Sequence, residues 1–429
     1  DDVNLFVEPA SFLSKVKSKQ DSYSFVDSVM ATPLPTYGFD YSLVRNPDID
    51  TAYNALITYV IPGSPAAQAG LERGDWIMKV DTSYISKKYE TYLLQGTKAV
   101  ELTLGEWKEV EIEDEEDGNE GGDGEDEGPT MEYRVVPIDE PVEMPAARIV
   151  EDNPVHKYEI IESPVKNIKV GYLMYNSFTA GTKAEPEKYN NELRSVSQKF
   201  KEAGVQAVIL DLRYNEGGSM DCVQLLGTIL TSADRLGEPM AYLEYNDKNT
   251  DKDATILFGT DREINLDLHS LIAITSGTTM GAPEMLIRSL FLEDVYPIAT
   301  VGSSTKGQNV ATEQFINEEF LWSVNPVVCT VYNSQHDTYG AISPATDLKV
   351  SETTIDGSTN YSEFLPFGTF DKDGKSERLL KIAIGVLDGT YPPKDDKTPE
   401  ESATQTHFKV EKSVSSPASR RFSSKGLRL

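Results

Sequence analysis

The chain has 429 residues, 39% of them hydrophobic, and sets 40 Lys plus Arg against 70 Asp plus Glu for a formal charge of −30. That length holds two or three domains with a sizeable core and excludes a disulfide-stapled peptide. The charge repels phosphate backbones and anionic headgroups, so it argues against nucleic-acid and membrane-surface partners.

The sequence opens at Asp1-Asp2-Val3 with no basic or apolar leader, so any signal peptide was removed or lies outside it. No apolar run approaches the ~18 residues of a membrane-spanning helix. Over residues 1–30, Phe12, Leu13 and Val16 share one face of a short amphipathic stretch, which predicts a docking helix ahead of the first domain. Residues 31–147 then read as a small β-rich module. Its apolar runs Ala55–Ile61, Trp76–Val80 and Tyr133–Val136 are separated by turn residues. Within it, Ser64 as N-cap, Pro65 at the first helical position and Gly70 as the stop predict a helix of one or two turns. The insertion 111–128 cannot bury a core: between Glu111 and Glu127, eleven of seventeen residues are acidic. A calcium loop is disfavoured there, because Gly stands at the fifth ligand position and no Glu at the twelfth.

Residues 148–391 alternate strand and helix patterns. Ile168–Tyr175, Val205–Leu212, Leu271–Thr275, Pro297–Val301 and the long run Phe320–Tyr332 read as strands. Helix faces run through Leu193, Val196 and Phe200, through Val223, Leu226 and Leu230, after Pro283, and over Glu377–Leu387. The pattern predicts a parallel-rich sheet with right-handed crossovers. Residues 392–429 are polar with basic Arg420, Arg421 and Lys425, and predict a mobile tail. Cys222 and Cys329 are too few for a scaffold or a four-ligand zinc site and read as buried free cysteines. His156, His269, His336 and His407 show no ligand spacing, so neither metal nor cofactor is expected.

Two groups of motifs carry a resemblance. Val60-Ile61-Pro62-Gly63-Ser64-Pro65-Ala66-Ala67-Gln68-Ala69-Gly70-Leu71 with Arg73-Gly74-Asp75 resembles the core of bacterial PDZ domains. In that family a strand and a helix flank a groove that receives an extended chain end. Tyr37, Gly38 and Phe39 are similar to the loop whose amides bind the terminal carboxylate. Further on, Leu210-Asp211-Leu212-Arg213-Tyr214-Asn215-Glu216-Gly217-Gly218, Thr275–Glu284 and Gly302–Val310 resemble three blocks of the C-terminal-processing, or tail-specific, serine peptidases. The resemblance implies a PDZ-like domain followed by a ClpP/crotonase-like α/β domain, and an oxyanion hole from Gly217, Gly218 and Ala282. It also implies polypeptide C-termini as partners and a bacterial periplasmic or cell-surface location.

The family's nucleophilic Ser position falls on Gly281, its general-base Lys on Gln308 and a supporting position on Thr312. Gly has no nucleophilic atom, and Gln cannot take a hydroxyl proton as a base. Loss of both groups leaves little beyond binding and oxyanion stabilisation. The expectation is therefore an inactive homologue that binds polypeptide termini or extended segments. A displaced dyad of Thr279 and Lys306 is the alternative, although a two-residue shift along a strand moves a group by roughly 6.6 Å. A surface scaffold with no peptide affinity is a third reading. There is no Gly-x-Ser-x-Gly elbow, and Ser219 reads as the N-cap of the next helix.

Overall fold

A computed structural model describes residues 9–28, 34–112, 130–317, 319, 322–350, 358–360, 364–391, 407–415 and 427–429. Most of the acidic insertion, residues 113–129, lies outside the described residues.

The larger part is organised on a five-stranded sheet in the order Ile298–Gly302, Leu271–Thr275, Ala207–Asp211, Lys169–Tyr175, Val155–Glu162. The first four strands are parallel and the last is antiparallel. Both faces of the inner parallel strands are covered, which is why they read as apolar runs, whereas the edge strand Val155–Glu162 is mixed in polarity and partly exposed. Val208, Leu210, Leu271 and Ala273 pack under Leu193, Phe200, Leu226 and Leu286 of the helices Lys188–Ala203, Met220–Leu230 and Ala282–Leu290. On the other face Ile209, Ile272 and Ile274 meet Leu379, Leu380 and Ala383 of the helix Arg378–Asp388.

A second five-stranded sheet, Ala254–Leu257, Pro239–Tyr245, Val327–Tyr332, Val310–Glu313 and Leu427–Arg428, is antiparallel throughout. The run expected as one strand over Phe320–Tyr332 is in fact two. Trp322–Asn325 and Val327–Tyr332 separate at Pro326, which has no N–H to offer a ladder, and they join different sheets. Trp322–Asn325 lies between Phe315–Asn317 and Phe25–Ser28.

The β-rich module forms a sheet whose main path runs Ser358–Asn360, His407–Val414, Phe39–Arg45, Tyr53–Val60, Trp76–Val80, Val100–Ile112, Thr130–Pro137. Its short helix Pro65–Gln68 starts where the sequence places it, with the Ser64 hydroxyl accepting from Ala67 N–H at 3.1 Å and Gly70 left-handed at φ 80°. The module is seated on the larger part through Arg73. That side chain donates to Leu365 O at 2.6 Å and stacks over Phe364 and Phe367 at 4.4 and 4.6 Å. Tyr59 adds a second contact, bonded to Asp152, His156 and Asn176 at 2.9 Å each.

Two expectations fail at the chain's extremities. The helix Pro9–Val16 forms but buries no residue, and Phe12 and Val16 are exposed, so it is not the docking element. Docking falls to the strand Phe25–Ser28 instead. Nor is the polar tail uniformly mobile: His407–Val414 and Leu427–Arg428 are strands, because sheet edges in both domains offer unpaired backbone groups that these residues satisfy.

Candidate functional site

The site is built where the strands Ala207–Asp211 and Leu271–Thr275 end. After Asp211 the chain turns on Arg213, which is fully buried. Its guanidinium donates to Asp211 Oδ2 at 2.7 Å and to both oxygens of Glu377, at 2.9 and 3.2 Å. Tyr172 OH adds a bond to Asp211 at 2.8 Å. Asn215 then fixes the turn by donating to Tyr175 O at 2.8 Å and accepting from Gly217 N–H at 3.0 Å. Gly217 and Gly218 follow with φ of 107° and 141°, values side chains rarely adopt. A Cβ on Gly218 would lie 2.2 Å from Phe178 O, so close backbone approach demands glycine there.

The second wall is the turn into the helix Ala282–Leu290. Gly281 is its N-cap, left-handed at φ 69°. The Glu284 carboxylate is buried and clasps this turn to the neighbouring loop. It accepts from Gly281 N–H at 2.8 Å, Gly307 N–H at 2.5 Å and Gln308 N–H at 2.8 Å, and from the Thr305 hydroxyl. Gln308 is buried, with its amide donating to Val310 O at 2.9 Å. Ala282 opens the helix and is fully buried. The role of Glu284 was missed from sequence. The acid three residues after a helix start is a capping signal, but its reach to the second loop leaves no local trace.

The structure does not bring Thr279 and Lys306 together as a dyad. The Thr279 hydroxyl is buried and committed to Leu212 O and Ser276 N–H, both at 2.9 Å, whereas the Lys306 side chain is exposed. The two meet only through main chain, Lys306 N–H to Thr279 O at 3.0 Å. Ser219 holds the N-cap position of Met220–Leu230, but its hydroxyl makes no cap bond.

Between the two walls lies the chain itself. Gly218 N–H donates to Leu429 O at 2.7 Å, and Leu429 N–H donates back to Gly218 O at 2.9 Å. Arg428 pairs with Thr312 on one side and bridges to Ser219 on the other. The Thr312 hydroxyl lies 3.5 Å from Arg428 O. Leu429 is buried in the same apolar cluster as Ala282. A Cβ on Gly281 would lie 2.2 Å from the Leu429 carbonyl carbon, and one on Gly217 would lie 2.0 Å from its oxygen. The absent side chains are thus the space that this residue's backbone fills.

In the β-rich module the loop before the strand Phe39–Arg45 is closed on itself. Tyr37 is buried with its hydroxyl on Lys98 O at 2.5 Å. Gly38 N–H is held by the Thr36 hydroxyl at 3.0 Å, and Gly38 O accepts from Ile61 N–H at 2.8 Å. Phe39 is buried and begins the ladder with Val60. The other edge of this strand is paired with His407–Val414, in the register Tyr41 to Val414 and Leu43 to Lys412.

Neither cysteine reaches the site: Cys222 and Cys329 are buried and free. Among the described residues no group of His, Cys, Asp and Glu is arranged to hold a metal ion.

A parallel-rich sheet closed by a glycine turn and a capped helix start, with a small β module seated beside it, defines a two-domain α/β protein. Residues 169–322 match Peptidase family S41 and residues 56–103 match the PDZ domain. A crystal structure named "Putative S41 protease" from Bacteroides fragilis NCTC 9343 is 39% identical with a TM-score of 0.76, covering 90% of this chain and 91% of that one. The chain belongs to Peptidase family S41. The photosystem II D1 C-terminal processing protease is 17% identical, with a TM-score of 0.41 over 80% of each chain. A crystal structure named "a putative peptidase" from Parabacteroides merdae ATCC 43184 is 19% identical, with a TM-score of 0.31 over 47% of this chain and 61% of that one. No curated protein matches.

Proposed function

We propose that this S41 homologue is catalytically silent and binds polypeptide termini or extended segments through its PDZ groove and its vestigial cleft. The observation that carries the reading is at Gly281. At the position matched to the family's nucleophile there is no side chain, and a carbonyl carbon lies 2.2 Å from where a Cβ would stand. Gln308, matched to the base, is buried and donates to Val310 O. A neutral amide cannot remove a hydroxyl proton, so neither half of the attack is supplied. Retention of Gly217 and Gly218, with an N–H already bonded to a carbonyl, supports binding without turnover. A displaced Thr279/Lys306 dyad draws no support from a buried hydroxyl and an exposed amine. The matching family is consistent with an extracytoplasmic bacterial location, and no described helix is long and apolar enough to cross a membrane.

The test is incubation of the purified protein with an unstructured polypeptide such as reduced casein, followed by mass spectrometry. Binding without new termini is the expected result. Cleavage that disappears in Thr279→Ala or Lys306→Ala would overturn the reading.

A further inference from the structure

Two segments near the end of the sequence lie as extended chains in two places, along the strand Phe39–Arg45 and in the cleft beside Gly218. Residues 410–414 lie along the open edge of the strand Phe39–Arg45, antiparallel to it, as a peptide added by β-augmentation would. Val410 and Val414 pack on the module's two apolar clusters, and the Ser42 and Ser413 hydroxyls are 2.9 Å apart. The short helix Glu90–Leu94 closes the other side. Lys412 pairs with Glu90, whose side chain is only 2% exposed, and Lys87 pairs with Glu411 at 3.3 Å. A carboxylate so buried needs a cation, and Lys412 supplies it. The second segment, residues 427–429, adds to the edge of Val310–Glu313 and ends with Leu429 in the pocket between Gly218 and Gly281.

Charge favours the same occupancy. Residues 407–429 carry six basic side chains (Lys409, Lys412, Arg420, Arg421, Lys425, Arg428) and one acidic, Glu411, on a protein whose formal charge is −30. A basic segment on an acidic body is held by long-range attraction as well as by its contacts.

We infer that residues 410–414 and 427–429 are a tethered internal ligand. The external ligand that displaces them is an extended, basic polypeptide with an aliphatic side chain at the place of Leu429. This rests on the polypeptide-binding reading and narrows it to a ligand class. Tethering gives the internal copy an effective concentration on the order of millimolar, so free peptide competes poorly until the internal copy is weakened.

The experiment uses the full chain and a fluorescein-labelled peptide of residues 418–429, read by fluorescence anisotropy. Leu429→Glu places a carboxylate among apolar side chains and vacates the pocket. Peptide affinity should rise at least tenfold over the wild type, and a peptide with Glu in place of its final Leu should not bind. Hydrogen exchange on the same samples should show Gly218 N–H protected in the wild type and exposed in Leu429→Glu. Lys412→Glu is a milder variant, because its side chain is half exposed. It sets a carboxylate against Glu90 and should admit a labelled peptide of residues 407–415 in the same way. Equal affinity in wild type and variants, or a Gly218 amide that exchanges as fast in the wild type, overturns the inference. If the variants bind an alanine-ended decapeptide but not the chain's own peptides, the internal-ligand idea fails while polypeptide binding stands. If folded variants bind no peptide, both fall.

Discussion

Arg213 and Glu377 meet through two hydrogen bonds in complete burial, and the same Glu377 also faces Arg73 of the PDZ module at 3.9 Å. The carboxylate accepts from Leu380 N–H at 2.9 Å as well, capping the helix Arg378–Asp388. One acid therefore neutralises the turn of the site, starts a helix and faces the neighbouring module.

Removing one partner strands the other charge in the interior. Arg213→Met is expected to destabilise the protein by roughly 3–5 kcal/mol, because Asp211 is left buried without its cation and Glu377 keeps only Arg73 at 3.9 Å. Urea unfolding followed by tryptophan fluorescence measures the loss. A change under 1 kcal/mol would contradict the assignment.

Glu284 tests the clasp between the two loops of the site. Glu284→Gln keeps the shape but turns an N–H donor toward groups that already donate, and about 2 kcal/mol of stability is the expected cost. Faster amide exchange at Gly307 and Gln308 should accompany it, since both donate to this carboxylate.

Rebuilding the missing chemistry should need both halves. Gly281→Ser alone introduces a hydroxyl but no base, and Gln308→Lys alone a base but no nucleophile. Each is expected to remain at background on a fluorogenic peptide. Because a Cβ at Gly281 would lie 2.2 Å from the Leu429 carbonyl carbon, all three variants are made with Leu429→Glu, and there the double variant should exceed background by on the order of 10²-fold, the lower range for a positioned general base. Equal rates for single and double variants would show that these positions are not the reacting pair.

The two thiols should be inert in the folded protein. Burial pushes Cys222 up to about 12 and Cys329 up to about 11, so almost no thiolate exists at pH 8. Neither should react with iodoacetamide in native buffer, and both should in urea. Rapid native labelling of Cys222 would contradict its placement beside Asn190.

Asp75 gives a pH signature. Burial holds its carboxyl above the ordinary 3.8, against the lowering effect of the Glu72 N–H bond, so the folded state holds this proton more tightly than the unfolded chain. Its contribution to stability is full below the unfolded value and is lost as pH rises through the raised one. Asp75→Asn should abolish that decline, visible as a flatter melting-temperature profile from pH 4 upward. An unchanged profile would rule it out.

The sheet around the site was legible because its strands are buried on both faces. Val208, Ile209 and Leu210 can only belong to a covered strand, and Gly217-Gly218 after it marks a turn no side chain tolerates. The antiparallel sheet was not read. Pro239–Tyr245 and Val310–Glu313 are mixed in polarity, and their pairing depends on partners far along the chain. The edge strand His407–Val414 was hidden for the same reason: Lys412 and Ser413 look like solvent-facing residues until Glu90 and Ser42 are placed opposite them. At the other extremity Phe12 and Val16 show the reverse error, an amphipathic pattern that stays exposed among the described residues.

The pairing of His407–Val414 with Phe39–Arg45 joins residues some 370 positions apart, as the Ser42 to Ser413 contact shows. During synthesis the strand Phe39–Arg45 must wait for some 370 further residues to emerge before that flank is covered. A prematurely released product would present bare strand margins in two sheets, each a template for sticking to its neighbours. Synthesis through Val414 is therefore itself a safeguard against clumping.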